Sequence, residues 1–238
     1  MASGSETASL PDLGPEVYER WRASGIGSIT EHLQRRLILS LLGDVSGRRI
    51  LDVGCGDGDL AVELRRCGAI VTGIDTSADM IEAAKARAAR EKVNVEFQVG
   101  SAESIPFAAE RFDAVVAVTI LCFVADAAPV FREIARVLRP GGRLVIGELG
   151  KWSLWAAARR IRAWLGSPLW RRGYFRTPGE LRCLAEHAGL TAGPVHGAIY
   201  YPRWQKAAQV MAPYDAAFSR ITTLGAAFLA LSATKRPA

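Results

Sequence analysis

Gly54, Gly56 and Gly58 stand at alternate positions directly after the apolar run Ile50-Leu51-Asp52-Val53, and Asp59-Leu60-Ala61 follows them. The pattern reads as a buried strand, a tight backbone turn and the first turn of a helix. Glycines at alternate positions leave no Cβ between a ligand and the main chain. A helix starting near Gly58 directs its unpaired N–H groups, and the positive end of its dipole, at the same spot. Such a loop offers a seat for an anionic, nucleotide-like ligand. Asp52 at the strand end narrows the choice, because a carboxylate that close to a pyrophosphate repels it.

A dinucleotide site would show G-x-G-x-x-G, with an acid about 20 residues further on. Here the spacing is G-x-G-x-G. The run Asp52-Val53-Gly54-Cys55-Gly56-Asp57-Gly58 resembles instead the first motif of the class I S-adenosylmethionine (SAM) dependent methyltransferases. In that setting Asp52 accepts from the ammonium of the methionyl group, directly or through water.

Further segments follow in the order that family uses. Ile70-Val71-Thr72-Gly73-Ile74-Asp75 is a strand ending in an acid, which the resemblance assigns to the ribose hydroxyls, with Thr76 beside it. Ser77-Ala78-Asp79-Met80-Ile81 opens the next helix, where a residue like Met80 packs on the adenine face. Gly100-Ser101-Ala102-Glu103 resembles the loop that meets the adenine edge, and Thr119 stands just past the apolar strand Phe112–Val118. Leu138-Arg139-Pro140-Gly141-Gly142 then leads into a fifth strand. The resemblance thus implies a cofactor set of Asp52, Gly54, Cys55, Gly56, Gly58, Asp75, Thr76, Met80, Ala102, Glu103 and Thr119, holding SAM. Singly, Gly56 or Gly58 reads as a turn glycine, Asp75 as a capping acid, Met80 as core and Glu103 as a solvated acid. Five motifs in register across residues 48–148 favour the cofactor reading.

Stepping outward, the elements that position these residues alternate strand and helix, which argues for a parallel sheet covered on both faces. The expected fold is α/β and Rossmann-like, a doubly wound sheet. By resemblance it has seven strands, the last one antiparallel, with a helical lid inserted after the fifth. Residues 1–12 read as a disordered tail and 13–238 as a single domain, with cover helices over 13–44, the cofactor core over 48–148 and the lid over 150–176. Pro15 to Arg22 and a helix capped by Thr30 make the cover. Thr177-Pro178-Gly179-Glu180 is a capping box for a later helix. The last two strands fall near Val195–Tyr200 and Ala226–Ala233, without an obvious helical crossover between them.

Half of the 238 residues are apolar, enough for one buried α/β core. The N-terminus has neither a basic start nor an apolar run, so a cytoplasmic protein is expected. Cys55, Cys67, Cys122 and Cys183 show no metal-ligand spacing, and no metal is expected. Charge is uneven: residues 151–238 carry 13 Lys/Arg against 3 Asp/Glu, while residues 1–150 carry 17 against 21. A basic C-terminal portion attracts anions, whether an acidic metabolite or phospholipid headgroups. Nucleic acid is not expected as a partner, because bulky tryptophans interleave the basic residues.

Acceptor residues should lie beyond the carboxyl ends of the strands. Cys122 falls there, and so does Trp152, which opens a segment expected to put Trp152, Trp155 and Ile161 near one helical face beside Arg159, Arg160 and Arg162. Three readings of this lid stand open: a structural insert, a wall for an anionic or aromatic small molecule, and a membrane-surface contact through 152–176. On a strand over 195–200, His196 and Tyr200 share one face, and both are candidate catalytic groups, His196 as a base near neutral pH. Its alternative is an ordinary hydrogen-bonded histidine. Tyr18, Tyr200 and Tyr201 join Cys122 and Trp152 as candidate substrate contacts, Tyr18 as part of the cover. After the fourth strand stands Thr119-Ile120-Leu121-Cys122, not the Asn/Asp-Pro-Pro-aromatic run of amide-nitrogen methylation. The reading is methyl transfer from SAM by in-line displacement to a small anionic or amphiphilic acceptor. The alternatives are a lipid or quinone methyltransferase at the membrane surface and a SAM-binding protein without activity.

Overall fold

Seven strands pair into one sheet in the order β3-β2-β1-β4-β5-β7-β6 in the computed structural model, which describes residues 14–237. The expected tail over 1–12 lies outside the described residues. β1 (Arg49–Val53), β2 (Ile70–Asp75), β3 (Glu96–Val99), β4 (Phe112–Val118) and β5 (Leu138–Leu149) are mutually parallel. β7 (Phe228–Lys235) runs antiparallel between β5 and β6 (Leu190–Ala198). The doubly wound sheet with an antiparallel last strand is therefore as expected.

The central strands are near-continuous apolar runs because both of their faces are covered. Side chains alternate across them. Ile50, Val116 and Val145 face a layer made by α2 (Gly25–Leu42), α3 (Asp59–Arg66) and α4 (Ala78–Arg90). Leu51, Val115, Ala117, Leu144 and Ile146 face α5 (Ala128–Val137) and α8 (Pro178–His187). α5 turns Val130, Phe131, Ile134 and Val137 inward at the spacing of a helical stripe. Thr177 and Glu180 form the reciprocal capping box of α8.

Three expectations change. The cap of the second cover helix is Ser24, whose hydroxyl accepts from Gly27 N at 3.1 Å; α1 (Pro15–Ala23) ends just before it. Thr30 lies one turn inside α2, bonded to Ile26 O at 2.7 Å. The connection between β6 and β7 does carry helices, α9 (Gln205–Met211) and α10 (Asp215–Ile221), whose sparse apolar pattern hides them. β6 ends at Ala198, so Tyr200 lies past the strand and does not share a strand face with His196.

The lid is two helices, α6 (Leu154–Trp164) and the single turn α7 (Pro168–Arg171). Both of its ends are tied to the sheet: Lys151 N donates to Arg176 O at 2.9 Å and Arg176 N to Leu149 O at 3.1 Å. Trp152 precedes α6 and is exposed, Trp155 is buried at 3% and Ile161 faces solvent. The expected shared face is thus split, because the buried residues of α6 are Trp155 and Ala156.

Candidate active site

The glycine loop takes the strained shape its residues allow. Gly54, Gly56 and Gly58 have φ of 69°, 53° and 76°. A Cβ on Gly54 would stand 2.2 Å from Ile120 Cγ2, and one on Gly58 2.9 Å from Ala84 Cβ, so packing demands both glycines. A Cβ on Gly56 would meet nothing within 4 Å. That side of the backbone is open to a ligand. Gly56 N donates to Asp75 Oδ2 at 3.0 Å, and Ser77 N donates to Asp75 Oδ1 at 2.9 Å, so Asp75 orders the loop and the start of α4. Each oxygen keeps a lone pair for a further donor.

Asp52 is 2% exposed, and its Oδ2 is buried with no hydrogen-bond partner among the described residues. Burial first, then the charge of Asp75, raises its pKa from 3.8 to about 7. An orphaned buried carboxylate is costly unless a cation or donor reaches it. An ammonium beside the open Gly56 backbone meets that need, so these residues fit the amino-acid end of SAM. Cys55 is buried and its thiol is pushed up by desolvation, which makes it a packing group. Met80 is buried at the start of α4 behind the Ser77 cap, while Thr76 and Glu103 are exposed and Ala102 packs at the edge of the core.

An ion-pair network, which sequence reasoning missed, ties the N-terminal cover to this loop. Asp57 lies between Arg22 of α1, which donates to both of its oxygens, and Arg87 of α4, at 2.6 Å. Arg35 of α2 pairs with Asp59, with Glu31 at 2.9 Å and with Glu63 at 2.8 Å. Apart from the i,i+4 pair Glu31–Arg35, the partners are 24–35 residues apart, so no local spacing announces them.

Beyond the carboxyl ends of β4 and β5 is a cavity of about 160 Å³. Tyr18, Trp21, Thr30 and Gln34 come to it from the cover, Thr119, Cys122 and Phe123 from the β4 loop, and Trp155, Arg159, Leu169 and Trp170 from the lid. Leu149, Ile199 and Ala227 close its floor. The covers meet edge-on at Trp21 and Trp155, whose ring centres are 6.1 Å apart. Trp155 Nε1 donates to Tyr201 O at 2.7 Å, and the Tyr201 hydroxyl bonds Thr30 Oγ1 at 3.0 Å. Thr119 and Ile199, both non-glycine, have φ of 54° and 67°. Ile199 is held there by Asp215, whose buried carboxylate accepts Ile199 N at 2.9 Å and Tyr200 N at 3.1 Å. Such strain persists only where surroundings over-determine it.

Of the expected acceptor residues, Tyr18 and Cys122 line the cavity, and so does Thr119 from the cofactor set. Burial pushes the Tyr18 hydroxyl up to about 12 and raises the Cys122 thiol, so neither is a base near neutral pH. Trp152 stands in solvent, and Tyr201 serves as a strut between the covers. The catalytic candidates are not brought to the cavity. His196 pairs with Ala230 on the edge strand β6, and the Tyr200 hydroxyl donates to Thr222 O. Glu148, fully buried at the end of β5, accepts Leu121 N at 2.7 Å and shapes the β4 loop; burial raises it to about 7.

Comparison with known proteins agrees with this geometry. A methyltransferase domain family matches residues 51–146. The chain is 34% identical over 180 residues, 71% of its length and 72% of the relative's, to a ubiquinone biosynthesis O-methyltransferase of Methylobacterium sp. strain 4-46. It is similar in fold, with TM-score 0.71, 23% identity and coverage of 93% and 95% of the two chains, to a SAM-dependent methyltransferase from Thermotoga maritima. It is similar likewise, with TM-score 0.67, 16% identity and coverage of 94% and 96%, to the magnesium protoporphyrin IX methyltransferase of Synechocystis PCC 6803, which was solved with S-adenosylhomocysteine bound. A loop open at Gly56, an orphaned Asp52 beside it, a doubly wound sheet with one antiparallel strand and a relative of this identity and coverage together place the chain in the class I SAM-dependent methyltransferases, as an enzyme that transfers the methyl group of SAM to a small molecule.

Proposed function

We propose that the chain O-methylates a ring hydroxyl of a small, quinone-type acceptor held between its two covers. The observation that carries this reading is the cavity. Its volume of about 160 Å³ is close to the ~150 Å³ that accommodates a benzene ring. Tyr18, Trp21, Trp155 and Trp170 give it aromatic walls. The relatives named for O-methyl transfer in ubiquinone biosynthesis support oxygen as the accepting atom.

SAM, when bound, supplies a methyl carbon already activated by its positive sulfonium. What remains for the protein is alignment and exclusion of water, and positioning of two bound reactants lowers a barrier by roughly 7–11 kcal/mol. The glycine loop, Asp52 and Asp75 would hold the cofactor. Thr119 and Cys122 follow β4 at the cavity. The Trp21–Trp155 contact closes the covers over it. Incubation with methyl-labelled SAM and matched rings bearing a hydroxyl, an amine or a thiol tests the reading. Label on hydroxylated rings is expected; label confined to the amine or thiol overturns it.

A second reading, that the enzyme works at a membrane surface, has its own observation. Apart from Ile70 and Val99, every large apolar side chain exposed among the described residues lies between Trp152 and Leu224, with Trp164 at 84% and Ile221 at 80%. The same stretch of chain holds the basic excess. Apolar patches mixed with Lys and Arg suit an anionic lipid interface. Among the described residues no helix is long and apolar enough to cross a membrane. Co-sedimentation with phosphatidylglycerol vesicles but not with phosphatidylcholine vesicles is expected; equal recovery in both supernatants refutes it.

A further inference from the structure

Arg159 is the only charged side chain among the described residues that line the acceptor cavity. Its guanidinium carbon lies 5.4 Å from the centre of the Trp155 ring and 4.8 Å from that of Trp170. Its Nε is buried without a hydrogen-bond partner. The ionisable groups that face it are Cys122, Arg203 and Arg162, and no carboxylate is among them. Burial, then the charges of Arg203 and Arg162, hold its pKa down at about 10. Two other arginines of the lid donate to carbonyls, Arg176 to Val124 O at 3.1 Å and Arg171 to Ala163 O at 3.4 Å, although Arg176 Nε is also without a partner; neither side chain lines the cavity.

An indole face attracts a cation but accepts poorly from its N–H groups, and a guanidinium carries five of these in a planar fork. A buried cation in this state is relieved by an anion that accepts them. The cavity meanwhile contributes no His, Asp, Glu or Lys to its lining, so no side chain there serves as a base at neutral pH. We infer that Arg159 binds the acceptor as an oxyanion, an ionised hydroxyl on an aromatic ring, and that this pairing replaces a general base. The inference rests on the O-methylation reading above and specifies it. The hydroxyl loses its proton to solvent on binding, because the adjacent cation favours the charged form. The ring lies within the Trp155 and Trp170 walls, and its oxygen meets the guanidinium fork.

The test uses 4-nitrocatechol, whose absorption reports ionisation, bound to the full-length protein with S-adenosylhomocysteine present so that no transfer occurs. In the unmodified protein the ionisation midpoint of the bound probe should fall at least one pH unit below its value in solution. Arg159→Met should return the midpoint to the solution value, and Arg159→Lys should bring back part of the shift. S-adenosylhomocysteine affinity should stay within twofold for both, which reports an intact fold. A bound probe with its solution midpoint, an Arg159→Met protein that shifts it as far as the unmodified one, or failure of the probe to bind at all overturns the inference. So does 3,4-dihydroxybenzoate held through its carboxylate, with both hydroxyls un-ionised. A persistent shift without methyl transfer to catechol refutes the O-methylation reading while supporting the oxyanion site.

Discussion

Replacing Asp52 with Asn should make the unliganded protein more stable and the cofactor site worse, and the size of both effects follows from burial. Asp52 is 2% exposed with an orphaned Oδ2, and its pKa is raised from 3.8 to about 7. A rise of about three units corresponds to about 4 kcal/mol as an upper bound. Water entering beside the open loop screens part of this, leaving about 2 kcal/mol. Between pH ~4 and ~7 the folded chain holds a proton that the unfolded chain has released. Stability therefore falls as pH rises through that window, and the cost is complete above about 7. The Asp52→Asn variant carries no such charge. At pH 8 it should melt about 4–8 °C above the unmodified protein, using ~2–4 °C per kcal/mol for a domain of this size. At pH 5 the difference should shrink to less than half. S-adenosylhomocysteine should bind about 10- to 100-fold more weakly, the loss expected when a charged hydrogen bond worth ~1.5–3 kcal/mol is removed. Thermal melts from pH 5 to 8 and calorimetric titration of S-adenosylhomocysteine measure both. A variant that melts no higher at pH 8, or that binds S-adenosylhomocysteine as tightly, refutes the argument.

The loop glycines should separate by role: Gly56→Ala folds at a cost of about 1–2 kcal/mol for alanine at φ 53°, because its Cβ meets nothing within 4 Å, yet loses more than tenfold in S-adenosylhomocysteine affinity, whereas Gly54→Ala, 2.2 Å from Ile120, fails to give soluble protein. Arg22→Met unclamps α1 from Asp57 and should speed S-adenosylhomocysteine dissociation in stopped-flow while costing about 1–2 kcal/mol of stability. Raising salt should speed release from the unmodified protein but not from this variant. Asp215→Ala leaves Ile199 N–H unpaired at positive φ, and should raise KM for the acceptor several-fold without changing S-adenosylhomocysteine affinity. Equal loss of both affinities would show that Asp215 supports the whole fold rather than the cavity floor.

Much of the sheet was legible because its signals are local. The loop needs positive φ at Gly54, Gly56 and Gly58, and only glycine supplies that cheaply three times in five residues. β4 reads as a central strand from Phe112 to Val118 because both faces are buried. The capping box at Thr177 and Glu180 is likewise contained in four residues. Local reading failed where Thr30 resembles the cap that Ser24, six residues earlier, supplies, and where α9 and α10 lack an apolar stripe strong enough to announce them.

The acceptor side behaved differently. His196 and Tyr200 drew attention as residue types, but the antiparallel placement of β7 puts β6 at the sheet edge, and Tyr200 is spent on Thr222. Arg159 was one basic residue among several in the lid. Its distinction is its place: it alone carries charge into the cavity wall among the described residues, and no carboxylate folds back to it there, while Arg22, Arg35 and Arg87 of the cofactor side all find one. The sequence by itself determined the parallel strands and the cofactor loop, because backbone conformation and strand burial are written in short spacings, while the antiparallel last strand and the class of cofactor were implied by the resemblance of its motifs. Which side chains face the acceptor was decided only in three dimensions. That cavity exists where α1 and α2, the β4 loop and the lid converge, and whether a charge there is paired depends on all three at once.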